Sequence, residues 1–146
     1  MRVVVDASVA LKWFLRSPED EDDSAVALEL LAAIQRDRLP MVQPAHFVAE
    51  VSAVLAREGA RFADAALRDL LEVESETVAD EQLYRRAIAL SRRLGHHLFD
   101  TLYHSLALEL PQALLVTADE RYHRVARREG RIALLRDFDV EAASSS

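Results

Sequence analysis

The chain has no cysteine, a single lysine, one tryptophan, three glycines and four prolines among its 146 residues. Without cysteine there is no disulfide framework, no thiolate metal site and no cysteine nucleophile, so any metal must be held by oxygen or imidazole. No GxGxxG occurs among the three glycines, which sets aside a dinucleotide-binding loop. With Lys12 as the sole lysine, 17 of the 18 basic residues are arginine, and phosphate contacts would fall to planar guanidinium forks. Long apolar runs are missing too. Arg, Glu, Gln or His interrupts them every few residues, far short of the roughly 20 apolar residues that a membrane-spanning helix needs. The opening RVVV is much shorter than the apolar core of a secretory leader, so a cytoplasmic protein with no membrane partner is expected.

Half of the residues are hydrophobic (51%) and 29% are charged, the balance of a folded globular domain rather than a disordered chain. The length suits one domain with a sizeable core. A net charge of −7 argues against gripping nucleic acid over the whole surface, since that affinity comes from cations neutralising phosphates. A local basic face remains compatible with it.

The β-branched run Arg2–Val5 reads as a buried strand, followed by a helix over 7–16 and a second helix starting near Asp22 or Asp23. The acids of SPEDEDDS suit the positive end of that helix's macrodipole. LPMVQP is a short strand between prolines, and Pro44 can open the next helix, whose apolar residues recur up to Gly59. A short helix over 61–71, a strand near Thr77 and Val78, and a long helix capped by Asp80 and ended by Gly95 come next. HHLFD leads into a helix stopped by Pro111. ALLVT is a clear buried strand, ADERYHRVARREG a basic helix closed by Gly130, and RIALLR a final strand. Short strands alternating with longer helices point to an α/β fold whose parallel sheet is covered on both faces. Residues 1–140 are taken as the domain and 141–146 as a flexible, frayed tail.

In open parallel sheets, ligands bind beyond the carboxyl ends of the strands. Asp6 and Asp119 each follow an apolar strand, in VVVD and LLVTAD, and Glu50 and Asp100 sit on separate helices beside the apolar stripe. Four acids at one place would repel and raise one another's pKa values unless a cation neutralised them, and a hard divalent ion with oxygen ligands suits that role. Each also has a plainer use: Asp6 and Asp100 as helix caps, Asp119 as a first-turn acid, Glu50 as a solvated helix residue. Ser8 and Thr117 are small hydroxyls able to support Asp6 and Asp119, or simply capping and strand residues.

VVVDAS, PAHFVAEVSAVL, LFDTLYHSLA and LLVTADERY, taken in that order from Val3 to about Tyr122, resemble the four acidic motifs of PIN-domain ribonucleases, specifically of VapC-type toxins from toxin–antitoxin pairs. The resemblance implies a three-layer α/β/α sandwich with a central parallel sheet of about five strands. It implies an endoribonuclease dependent on Mg²⁺ or Mn²⁺ held by Asp6, Glu50, Asp100 and Asp119, which hydrolyses RNA. It also implies a homodimer and a cognate antitoxin. Two positions depart from the pattern: Ala53 stands where many relatives have Asn, and Phe99 where Tyr is common. The first concerns the positioning of Glu50.

Three of these acids have a histidine four residues away: His46 with Glu50, Asp100 with His104, and Asp119 with His123. On a helix that spacing shares a face, which fits support of the carboxylates or recruitment of Mn²⁺ as well as chance placement. His96 and His97 are adjacent and form no HExxH zinc helix. Arg121, Arg124 and Arg128, with Arg127 and Arg131, cluster past Asp119, where a basic face would follow RNA into the acidic site. Arg85, Arg86, Arg92 and Arg93 form a second group, and either group also suits a solvated amphipathic helix. No aromatic-rich recognition stripe is visible. A haloacid-dehalogenase-like phosphatase would want an acid where Ser8 stands, and a receiver domain would want paired acids after the first strand and a late lysine. The remaining alternative is a catalytically silent module of the same fold that acts through dimerisation or antitoxin pairing.

Overall fold

The computed structural model of the chain describes residues 1–15, 21–58 and 61–145. The expectations for Arg16, for Pro18 with Glu19 and Asp20, and for the Gly59 stop lie outside the described residues.

β1 (Arg2–Val5) holds the centre. Val3, Val4 and Val5 are all fully buried, as stiff β-branched side chains covered on both faces of a parallel sheet should be. β1 pairs in parallel with β4 (Ala113–Thr117), Val5 lying opposite Val116, and β4 pairs in parallel with β5 (Ile132–Leu134). β2 (Val42–Pro44) and β3 (Glu76–Val78) form a second parallel pair. The two sheets meet at a parallel bridge between Val3 and Met41, where the Val3 amide donates to the Pro40 carbonyl at 2.9 Å. Beyond it the side-chain amide of Gln43 replaces the ladder. The Val5 N–H donates to Gln43 Oε1 and Gln43 Nε2 donates to the Val5 carbonyl, both at 2.8 Å. The expected five parallel strands are thus present, split three and two because Pro44 has no N–H to continue the pairing.

α1 (Ala7–Ala10) and a 3₁₀ turn (Leu11–Trp13) follow β1. The Trp13 indole N–H donates to the Ala27 carbonyl of α2 (Glu21–Gln35) at 2.9 Å. α3 (Phe47–Arg57) and α4 (Ala63–Glu72) form the next pair of helices. α5 (Glu81–Leu94) begins at an Asp80 cap and ends at a left-handed Gly95, as expected from the sequence. α6 (Leu98–Glu109) lies against β1, β2 and β4 with α5 packed on it, and residues 101–107 are buried without a break. A helix apolar on all sides belongs in the middle of a fold.

Four stretches differ from expectation. The first helix, expected over 7–16, ends at Ala10 and tightens into the 3₁₀ turn over Leu11–Trp13. The basic helix is shorter: α7 spans Glu120–Ala126 and tightens into a 3₁₀ turn over Arg127–Glu129. The last strand stops at Leu134, and Leu135–Asp137 is another 3₁₀ turn. The stretch read as a flexible tail carries α8 (Val140–Ser144), capped by Asp139, whose carboxylate accepts from the Ala142 amide at 3.0 Å. Val140 and Ala143 are buried, and α8 packs against α2. Alanines and serines carry a weak hydrophobic signal, but a capped turn with two small buried residues is enough to dock.

Candidate metal centre

Because β1 and β4 run parallel side by side, the residues following them emerge at one edge of the sheet. Asp6 is the N-cap of α1 and accepts from the Ser8 amide at 2.9 Å. Asp119 is the N-cap of α7 and accepts from the Tyr122 amide at 3.0 Å. Capping, the plainer use foreseen for Asp6, is therefore real, and it orients both carboxylates at the strand ends. Ser8 Oγ accepts from the Ala118 amide at 3.0 Å, tying the two loops together, and Thr117 Oγ1 accepts from the Asp119 amide at 3.1 Å.

Glu50 comes from the first turn of α3 and Asp100 from the first turn of α6. The Tyr103 hydroxyl, also on α6, donates to Glu50 Oε1 at 3.0 Å. The positioning of Glu50 left open by Ala53 is thus supplied from a neighbouring helix. His96 Nε2–H donates to Asp100 Oδ2 at 2.8 Å. Ligand atoms of His96, Asp100 and Asp119 all lie within 4.8 Å of one another.

Asp6 is only 7% exposed. Burial pushes its carboxyl from 3.8 up to about 7; hydrogen bonds from Ser8 oppose this, and the charges of Asp100 and Glu50 add to it. Burial likewise raises Glu50 against the hydrogen bond from Tyr103, with Asp100 adding to the rise. Asp6, Glu50 and Asp100 thus feel one another's charge, and His96, hydrogen-bonded to Asp100, comes within 4.8 Å of Asp119. Among the described residues no Lys or Arg forms an ion pair with any of the four acids. Among the described residues, a buried carboxylate held by Ser8, with two more acids in electrostatic range and no ion pair to a cation, fits a divalent ion.

That arrangement agrees with the family comparison, in which the PIN domain model matches residues 3–128. The chain belongs to the PIN domain family. PIN domains are generally metal-dependent nucleases, and in this PIN domain His96, Asp100 and Asp119 form a group that could hold a metal. No curated protein matches the sequence.

The histidine pairs foreseen from spacing do not form. His104 is fully buried and turned away from Asp100: its Nδ1 meets the Tyr122 hydroxyl at 2.9 Å and its Nε2 the Gly130 carbonyl at 2.7 Å. Burial lowers its pKa, so the ring is neutral, and a carbonyl can only accept. Nε2 therefore carries the proton and the Tyr122 hydroxyl donates to Nδ1. His46 Nε2 donates to the Phe99 carbonyl at 3.0 Å rather than to Glu50, and no side-chain contact joins His123 to Asp119 among the described residues. The residues the spacing argument missed are His96 and Tyr103. His96 also lies four positions from Asp100, but in the link between the Gly95 cap of α5 and the start of α6 at Leu98, where helical spacing gives no guidance.

The arginines divide. Arg86 pairs with Glu109 at 3.2 Å, Arg93 with Glu129 at 2.8 Å and Arg85 with Glu81 at 3.2 Å, so most of the second basic group is neutralised within the fold. Arg131 donates to the Leu110 carbonyl at 2.7 Å. Arg121, Arg124, Arg127 and Arg128 are exposed on α7 and the turn after it, with no acidic partner among the described residues. Phe99, 46% exposed beside Asp100, meets His46 at a tilt and His97 edge-on, at ring separations of 5.1 and 4.9 Å.

Proposed function

We propose that this PIN domain is a VapC-type toxin, an endoribonuclease that uses Mg²⁺ or Mn²⁺ to hydrolyse RNA phosphodiester bonds and is restrained by a cognate antitoxin. The observation that carries the reading is the uncompensated buried acid Asp6 beside Glu50 and Asp100 at the strand ends. The motif resemblance supports the finer assignment, and with it a cytoplasmic homodimer as the working form.

Asp6, Glu50, Asp100 and Asp119 would hold the ion. When bound it supplies Lewis-acid charge that activates water and offsets the charge developing on the scissile phosphate and the leaving 3′ oxygen. The chain's own part is positional. Ser8, Thr117 and Tyr103 hold the acids in place, and the Ser8 and Tyr122 amides at the helix starts orient Asp6 and Asp119. Arg121, Arg124 and Arg128 offer guanidinium groups to the RNA backbone next to the acids. An acidic cleft of this kind also suits an arginine delivered by an antitoxin.

The test is cleavage of a mixed RNA pool by the purified protein and by Asp6→Asn, each in EDTA, Mg²⁺ or Mn²⁺. Metal-dependent cleavage at least a hundredfold weaker in the variant supports the reading. Cation binding without cleavage of any RNA offered would favour the silent module instead.

A further inference from the structure

The site contains one donor that is not an oxygen. We propose that His96 is a nitrogen ligand of a divalent cation held jointly with Asp100 and Asp119, and that its imidazole gives this position a preference for Mn²⁺ over Mg²⁺. The proposal rests on the reading of the acids as a cation site and does not require RNA to be the substrate.

Ligands about 2.1 Å from an octahedral ion lie about 3.0 Å apart when adjacent and about 4.2 Å apart when opposite. The 2.8 Å between His96 Nε2 and Asp100 Oδ2 is an adjacent-ligand distance, and the 4.8 Å limit on all three donors leaves only a small contraction to make. Of the five histidines, His96 is the one whose side chain meets a site carboxylate; His46 and His104 are committed to backbone carbonyls.

Its ring is also held. Tyr122 packs edge-on against it at 4.8 Å, and the Tyr122 hydroxyl is fixed by the fully buried His104, itself anchored on Gly130. Buried aromatic and hydrogen-bonding groups stacked behind one ring orient it as a ligand's support does. The buried Asp6 takes its hydrogen bond from Ser8 and feels the charges of Asp100 and Glu50, and among the described residues no ion pair with a cation offsets it. Among the described residues no group bonds His96 Nδ1, so on cation uptake the ring can present its Nε2 lone pair with the proton on Nδ1. Imidazole favours later divalent metals, whereas Mg²⁺ prefers oxygen and water.

The experiment is three-pulse electron spin-echo envelope modulation on the full-length protein loaded with Mn²⁺, beside His96→Gln and His97→Gln, with Mn²⁺ and Mg²⁺ affinities from titration calorimetry. Expected is ¹⁴N modulation from a coordinated imidazole in the wild type and His97→Gln, lost in His96→Gln. The Mn²⁺ dissociation constant should rise about tenfold or more in His96→Gln and the Mg²⁺ constant less than about threefold. Bound Mn²⁺ without ¹⁴N modulation in the wild type would overturn the proposal, as would modulation that persists in His96→Gln or a wild type that binds no Mn²⁺. The wild-type spectrum decides without relying on the variant's folding. Parallel RNA assays separate the two readings: cleavage without a nitrogen signal leaves the nuclease reading standing, and a nitrogen signal without cleavage leaves this one.

Discussion

At the scale of single residues, Asp6 shows how one carboxylate serves fold and site at once. It caps α1 and it is a buried carboxyl with no counter-ion among the described residues. Asn can cap as well as Asp but carries no charge, whereas Ala does neither. In EDTA at pH 8, Asp6→Asn should therefore be more stable than wild type, and Asp6→Ala less stable than Asp6→Asn by about 1 kcal/mol in urea unfolding. Both should lose cation binding. His104 makes a different case. Replacing it with Ala leaves the Tyr122 hydroxyl and the Gly130 carbonyl without their partner inside the fold, with a cavity besides. A loss of about 3 kcal/mol, read from the same urea curves, is expected. Spacing alone pairs Asp100 with His104, whereas the structure pairs it with His96. Four residues of helical spacing set two side chains on one face, but they do not choose the partner, and His104 sits one turn deeper where Tyr122 and Gly130 compete for it.

At the scale of elements, strands and caps were legible where residue type alone decides. Three buried valines, ALLVT, Asp80 and Gly95 all stand where their stiffness, capping oxygen or left-handed backbone requires. What stayed hidden depends on tertiary partners. Nothing in LPMVQP announces that Gln43 will stand in for a strand, because its two hydrogen bonds exist only once Val5 is beside it. α8 was hidden by the weakness of small residues as a hydrophobic signal, and Tyr103 by its place on an otherwise apolar helix. Gln43→Leu keeps the approximate volume but orphans a buried N–H and C=O of β1. It should cost about 2 to 4 kcal/mol and speed amide hydrogen exchange at Val5, while β4 and β5 keep their protection. Unchanged exchange at Val5 would mean that the amide clip does not hold the seam.

At the scale of the whole molecule, the raised pKa of Asp6 becomes a dependence of stability on pH. In the unfolded chain this group titrates near 3.8, in the folded one near 7. Its contribution is thus fully present below about pH 4 and is lost as the pH rises through 7, by an amount on the order of 4 kcal/mol. In EDTA the melting temperature should fall over that window and level off above it, and Asp6→Asn should flatten the curve. Millimolar Mn²⁺ should reverse the fall, its stabilisation growing with pH as the proton stops competing. The topology has a further consequence, in time rather than in energy. β1 takes its main partner from β4, Val5 against Val116, and the four acids come from positions 6, 50, 100 and 119. During synthesis at about 5 to 20 residues per second, the three valines wait several seconds for the strand that completes their sheet. A chain cut anywhere before Asp119 lacks one of the four acids proposed for the site, so whatever this edge of the sheet does begins only after residue 119 has been made.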